Sequence, residues 1–252
     1  MDNENLYGTK AVQVDLLEMM SYLHSFCKEH DIKYTLGGGS LIGVVRHGGF
    51  IPWDDDIDLM FERKEYDKFV TLFEQYGDKQ YKIIKNIWLS CVTFLENVKH
   101  NKIENMTRCV DLFVFDDVPK GTATRRFKIF FLRLLQGMIK DKPEYQSYGF
   151  AGKILSFATW AFGRLFTKKF KLKIYNRISQ WGESGSGFIT IYNDSFKNLK
   201  IIHSSTILES YSEMPFDGLM LYVMSGAHRY LETRYGDYMK LPPIEQRIPQ
   251  HI

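Results

Sequence analysis

The chain has 252 residues, of which 44% are apolar, and a net charge of +3, which suits one large domain, or a domain with an appended helical lobe, around a real core. Its three cysteines (Cys27, Cys91, Cys109) form no close pair, so neither a zinc ligand pattern nor a disulfide framework is expected. The polar, acidic start MDNENLYGTK is unlike a secretory signal, and no apolar run reaches the roughly 18–20 residues that cross a bilayer, so a cytoplasmic protein is expected.

Residues 11–30 read as the first helix. Val14, Leu17, Met20, Leu23 and Phe26 recur at amphipathic spacing, with His24 on the helix face and His30 at its end. Residues 32–36 then start a strand that ends at Gly37-Gly38-Gly39-Ser40. Consecutive glycines permit positive φ and let a ligand approach the backbone closely. A helix beginning near Ser40 would aim its free N–H groups at this turn, which makes an anion site. The next loop carries Arg46, His47, Gly48 and Gly49, where side chains have room to reach a ligand. The planar fork of an arginine suits phosphate. His47 reads either as a phosphate donor or as a structural loop hydrogen bond. Trp53 reads either as core or as a surface for a base or a cationic choline.

Residues 54–60, DDDIDLM, enter the next strand. Alternation places Asp54, Asp56 and Asp58 on one face and Asp55, Ile57 and Leu59 on the other. Crowded carboxylates repel one another. A hard divalent cation removes that cost, and Mg²⁺ takes one or two carboxylates together with phosphate oxygens. The bland alternative is a solvated acidic turn. The apolar residues alternating after Asp56, and the glycine turn before it, argue against that.

Residues 62–76 read as a helix, residues 81–87 and 89–95 as successive strands, and residues 97–105 as a polar connection with His100 exposed. Residues 109–116, CVDLFVFD, are a further strand with Asp111 inside an apolar run. A buried carboxylate without a partner is costly, so Asp111 requires a hydrogen bond, a cation or a metal. Asp116 and Asp117 read as cap or turn residues before Pro119, with Asp116 the second candidate acid.

Residues 120–177 carry 14 Lys/Arg against 2 Asp/Glu, whereas residues 1–119 carry 13 against 20. So basic a middle suits a membrane, a polyanion or an acidic substrate. Residues 124–140 and 152–178 read as helices. Phe127, Phe130, Phe131, Leu134, Leu135 and Met138 share one face of the first, among Arg125, Arg126, Lys128, Arg133 and Lys140. That face either packs on the catalytic core with snorkelling basic residues or lies on a membrane surface. No recognised nucleic-acid-binding fold accompanies it, and no nucleic-acid partner is expected. Ser184-Gly185-Ser186-Gly187 reads as a turn, residues 188–192 as a short strand, residues 216–223 as a strand or hairpin edge, and residues 225–235 as a helix. Tyr235-Gly236-Asp237-Tyr238 closes that helix, with Asp237 either facing the site or capping.

A Gly-Ser turn followed by Asp-apolar-Asp-apolar resembles the nucleotidyltransferase superfamily that includes DNA polymerase β. The fuller string GGSLIGVVRHGGFIPWDDDIDLMF resembles the LicD family, with its fukutin-type members, much more closely. A second string, YGDYMKLPP at residues 235–243, resembles that family's C-terminal signature, so the resemblance spans residues 34–243. Where the family usually has Glu before a glycine, this chain has Asp217, which leaves the role of Asp217 open.

The resemblance implies an α+β fold: a nucleotidyltransferase (DNA polymerase β-like) mixed sheet flanked by helices, with an added helical region. It implies one catalytic domain over residues 1–252, with a core at 1–119, a basic helical insertion at 120–180 and a completing part at 181–252. It makes Asp111 the third carboxylate. Asp56, Asp58 and Asp111 would then be catalytic and hold Mg²⁺ or Mn²⁺. Gly38, Gly39 and Ser40 would cradle donor phosphates, with Arg46 and His47 as further donor contacts. The implied reaction is transfer of phosphocholine, or a similar phospho-alcohol, from CDP-choline or a related CDP-alcohol to a hydroxyl of a glycan or lipid-linked glycan, releasing CMP. Lipopolysaccharide, teichoic acid and capsule chains all offer such hydroxyls. A lipid-linked acceptor would favour the membrane-surface reading of residues 120–180, at the inner face of the cell membrane, over packing on the core. Attack on the α-phosphate would instead make the chain a nucleotidyltransferase that modifies a small molecule or protein, and spacing alone does not choose. A binding protein that has lost catalysis is disfavoured by the intact aspartates.

Overall fold

The computed structural model describes residues 6–85, 87–99, 108–143, 149–182 and 185–250. His100, most of the connection at residues 97–105, and Ser184 lie outside the described residues. Among the described residues the chain is α+β and divides into two compact units, one of Met1–Ile84, Ser90–Val114 and Ser205–Ile252, the other of Lys85–Leu89 and Phe115–Ser204.

The first unit runs α1 (Lys10–Glu29), β1 (Thr35–Leu36), α2 (Gly38–His47), β2 (Ile57–Glu62), α3 (Arg63–Tyr76), β3 (Tyr81–Ile84), β4 (Ser90–Phe94), α4 (Leu95–Lys99) and the start of β5 (Cys109–Asp117). The strand order is β1-β2-β5-β4-β3. β1 pairs antiparallel with β2 through Leu36 and Leu59, and β4 with β5 through Cys91 and Asp111. The chain returns as the hairpin β8 (Tyr211–Phe216) and β9 (Leu219–Met224), then α8 (Ala227–Tyr235).

Aromatic packing joins helices to sheet. Phe61 of β2 lies 5.2 Å from Phe69 of α3, and Phe73 lies 5.4 Å from Phe26 of α1. Each such ring taken fully from water contributes roughly 1.5–3 kcal/mol. α1 turns Leu16, Met19, Met20, Leu23 and Cys27 inward, while Val14, expected on that face, is 53% exposed. The stripe is rotated because Gln13 is drawn inward: its Nε2 donates to the carbonyl of Asp54 at 2.9 Å. Thr9 Oγ1 donates to Pro52 O at 2.8 Å, so the start of α1 holds the segment leading into the aspartates.

The second unit contains α5 (Thr122–Ile139), α6 (Phe150–Gly163), α7 (Lys168–Ser179), β6 (Phe188–Ile191) and β7 (His203–Ser204). β6 pairs with the last residues of β5, Phe115 opposite Ile191 and Asp117 opposite Ile189. The helix expected over residues 152–178 is two helices. The first stops at Gly163, and Thr167 caps the second by accepting from Phe170 N. Lys171 is buried between them and donates to Met138 O at 2.7 Å and Gly163 O at 3.0 Å. A cation beside helix-end carbonyls is favourable.

Of the two readings open for the aromatic face of α5, packing inward is not the one the structure shows for its phenylalanines. Lys128, Leu132, Leu135, Gln136 and Ile139 are buried, whereas Phe127, Phe130 and Phe131 are 60%, 54% and 45% exposed. Two polar residues turn inward because each finds partners there. The Lys128 ammonium lies 3.7 Å from the centre of the Tyr192 ring, and Gln136 Nε2 donates to Tyr175 Oη and to Asp194 O. Asp116 is likewise no turn residue: it is a buried position within β5, opposite Thr190.

Candidate active site

The site grows from the junction of β1, α2 and β2. Gly37 N donates to Asp58 O at 2.9 Å, and Leu41 N to Gly37 O at 2.7 Å, so α2 begins directly beside the first residues of β2. Gly38 has φ +46°, a conformation glycine adopts without the steric cost of a side chain. A Cβ at Gly38 would collide with the carboxylate of Asp58, and one at Gly39 with that of Asp54. Two aspartates therefore lie against the first turn of α2, where backbone N–H groups lack helical partners. Ser40 is buried, and its Oγ accepts from Asp58 N at 3.0 Å. The GGS turn thus fixes the backbone of Asp58 from both sides.

The aspartates act on one another. Burial, and then the carboxylates of Asp56, Asp111 and Asp54, push Asp58 well above the ordinary carboxylate range; the Arg234 guanidinium on α8 opposes this. Asp56 and Asp58, on the approach to and start of β2, and Asp111, on β5, are thus brought into one electrostatic cluster. Asp55 faces away. It is buried, and its Oδ1 accepts from Gln250 N at 3.2 Å.

Arg46 and His47 were expected in a loop. They form the last turn of α2, which ends at Gly48 with φ +71°. A glycine at each end encloses the apolar run LIGVV as a helix. Arg46 Nη1 donates to Tyr238 O at 2.7 Å, which ties the YGDY segment to α2. Burial, and then the Arg247 guanidinium, lower the pKa of Arg46, and the Asp54 carboxylate only partly opposes this. Partial burial, and then Arg46 beside it, depress the pKa of the His47 imidazole. Trp53 is half-buried against Tyr7, at 5.7 Å between ring centres, with the Arg247 guanidinium 5.4 Å from its ring. Asp217 occupies the β8–β9 turn at φ +45°. It accepts from Phe50 N at 2.8 Å, and its own N–H donates to Gly48 O, clamping the loop after α2.

Sequence reading missed two features. Arg234 has no motif of its own and is recognisable only once α8 is placed. The other is a thiol pair: Cys91, Cys109 and Asp111 each offer a ligand atom, all within 4.8 Å of one another. The expectation of no close cysteine pair fails because β4–β5 pairing brings residues 18 apart into diagonal contact. Strand register was the signal that could have found it. The hydrogen bond with Cys91, and then burial and Asp111, push the Cys109 thiol far above its usual range, so it is held as a thiol rather than a reactive thiolate.

Oxygen donors gathered beside the start of a glycine-led helix are the arrangement that phosphoryl chemistry requires. Residues 31–133, which contain all eight predicted site residues, match the family LicD/FKTN/FKRP, nucleotidyltransferase domain. The chain is 30% identical over 261 residues to the lipopolysaccharide cholinephosphotransferase LicD of Haemophilus influenzae, an alignment covering 95% of this chain and 94% of that protein. It is 32% identical over 104 residues to an uncharacterized protein of Rickettsia typhi, across 40% of this chain and 29% of that one. A stretch of 44 residues is 46% identical to the human ribitol 5-phosphate transferase FKRP, across 18% of this chain and 9% of the human protein. The chain belongs to the LicD family and is a phosphotransferase.

Proposed function

We propose that the chain transfers phosphocholine, or a similar phospho-alcohol, from a CDP-alcohol to a glycan hydroxyl and releases CMP, on a nucleotidyltransferase-type fold. The observation that carries this is the carboxylate cluster that raises Asp58 beside the start of α2. Its relatives are named for transfer of phosphocholine and ribitol 5-phosphate, which supports a phospho-alcohol as the group moved.

The donor set fits a hard divalent cation. The oxygens of Asp56, Asp58 and Asp111 would hold Mg²⁺ or Mn²⁺, relieving the repulsion that raises Asp58. When bound, the ion neutralises charge on the diphosphate. The remaining work belongs to the chain. The N–H groups of Gly38 and Gly39 bind donor phosphate oxygens, and Ser40 keeps Asp58 in place. Arg46 and His47 add donors at the far end of α2. Asp111 takes the proton of the acceptor hydroxyl as its oxygen bonds to the β-phosphorus. The bond from that phosphorus to the bridging oxygen breaks, and CMP leaves.

The test is donor turnover with Mg²⁺ and CDP-choline, with and without glycan acceptors. CMP release that vanishes in Asp58→Asn is the expected result. Intact CDP-choline with every acceptor, together with pyrophosphate from ATP or CTP, would overturn it in favour of nucleotide addition.

A further inference from the structure

The second unit presents its aromatic residues outward. α6 (FAGKILSFATWAFG) has nine apolar residues and one charged residue in 14, yet none of its described side chains is buried. Phe130 and Phe131 of α5, Ile154 and Phe157 of α6, and Phe166 and Phe170 near α7 are all exposed, between 37% and 55%. Three rings run in a row from the end of α6 into α7: Phe162 lies 5.5 Å from Phe166, and Phe166 stacks on Phe170 at 5.8 Å; on α5, Phe130 and Phe131 lie 5.6 Å apart. A contiguous exposed apolar face on a folded chain marks an interaction surface.

Charge selects the occupant. The unit carrying this face holds the basic stretch, 14 Lys/Arg against 2 Asp/Glu over residues 120–177. Exposed Arg126, Lys153, Lys169 and Lys173 stand within four residues of the exposed rings along their own helices. Between α5 and α6 lies a recess of about 410 Å³, lined by Phe130, Leu134, Leu155 and Thr159 together with the basic Arg133 and Lys140. An apolar recess with cations in its wall matches an acyl chain under an anionic headgroup. A protein groove for an acidic peptide would not need so many unpacked rings. At 14 residues α6 is about 21 Å long, short of the roughly 30 Å hydrocarbon core, and no described helix is long and apolar enough to cross a membrane.

We infer that the face formed by α5, α6 and α7 docks on an anionic lipid bilayer, its rings entering the headgroup boundary and its lysines and arginines meeting lipid phosphates. This surface is independent of the catalytic reading. Co-sedimentation of the full chain with phosphatidylglycerol–phosphatidylcholine vesicles tests it. Capture at low salt is expected, with at least tenfold loss in pure phosphatidylcholine vesicles and at high salt. The triple variant Phe130→Ser/Phe131→Ser/Phe157→Ser should lose capture to the same extent while keeping its far-UV circular dichroism. Because all three side chains are exposed, a second set, Lys153→Glu/Lys169→Glu, gives an independent measure through charge. Absence of capture by anionic vesicles would overturn the inference. So would capture of both variant sets equal to that of the wild type, or a concentration-dependent dimer abolished by the serine variant without any lipid binding.

Discussion

Asp58 in the first unit and Lys128 in the second are both charged residues drawn inward, and their surroundings differ in kind. Lys128 is fully buried, with the face of Tyr192 beneath its ammonium and the carbonyl of Asp117 at 3.4 Å. Its charge is answered by its neighbours. Asp58 sits among Asp54, Asp56 and Asp111, so its neighbours make its charge harder to hold, with Arg234 only partly opposing them. A chain keeps the first arrangement for folding. The second costs stability and persists when a ligand completes it.

The largest expected effect breaks the comparison on the acidic side. Asp58→Asn should lower donor turnover by at least about 10³-fold, the scale of losing a charge-stabilising group in a catalytic centre. The same change should stabilise the metal-free protein. The folded pKa of Asp58 is raised, so its ionisation destabilises the fold, and that cost grows from the unfolded carboxylate value of about 3.9 up to the raised folded value. Metal-free Asp58→Asn should therefore melt a few degrees higher than wild type near neutral pH and show no gain below about pH 4. Calorimetry at both pH values checks the sign, and an equal gain at both would remove the electrostatic account.

Next in size is Gly38→Ala. The new Cβ would meet the Asp58 carboxylate at a position of positive φ. Turnover is expected to fall by about 10²-fold as the reacting groups lose their alignment. Stability should fall by about 1–2 kcal/mol, read by urea denaturation beside the kinetic assay. Lys128→Ala should invert that pattern. Stability should drop by roughly 2–4 kcal/mol from the lost volume and ring contact, while the protein that remains folded turns over donor within threefold of wild type. A selective loss of turnover in Lys128→Ala would mean that the two buried charges are not different in kind.

What was legible in the sequence follows the same division. The acidic cluster was readable because DDDID places like charges where strand alternation cannot separate them, and the glycine turn gives them a helix start to face. Strands β3, β4 and β5 and helix α3 were readable from apolar alternation or helical spacing and lie within a few residues of expectation. Arg46 and His47 were misplaced because glycine-rich sequence resembles a loop, although Gly38 and Gly48 start and stop a helix. The packing stripe of α5 was left undecided because the partner that turns Lys128 inward, Tyr192, lies 64 residues further along the chain. Periodicity fixes that a helix has a face; it does not fix which of two overlapping stripes packs when polar residues have distant partners.

That ambiguity leaves the smallest effect the most discriminating. Phe130 and Leu132 are two residues apart on α5, and hydrophobicity alone would rank the phenylalanine as the more buried. Leu132 is fully buried against Leu135, Ile139, Tyr175 and Tyr192, and Leu132→Ala should cost roughly 2–4 kcal/mol. Phe130 is 54% exposed, and Phe130→Ser should change stability by no more than about 0.5 kcal/mol in lipid-free buffer. If urea denaturation instead shows Phe130→Ser costing as much as Leu132→Ala, the aromatic stripe packs inward in solution and the face proposed for lipid does not exist. If the cost is near zero, three phenylalanines on one short helix are kept for something other than the fold, and the vesicle experiment then asks what.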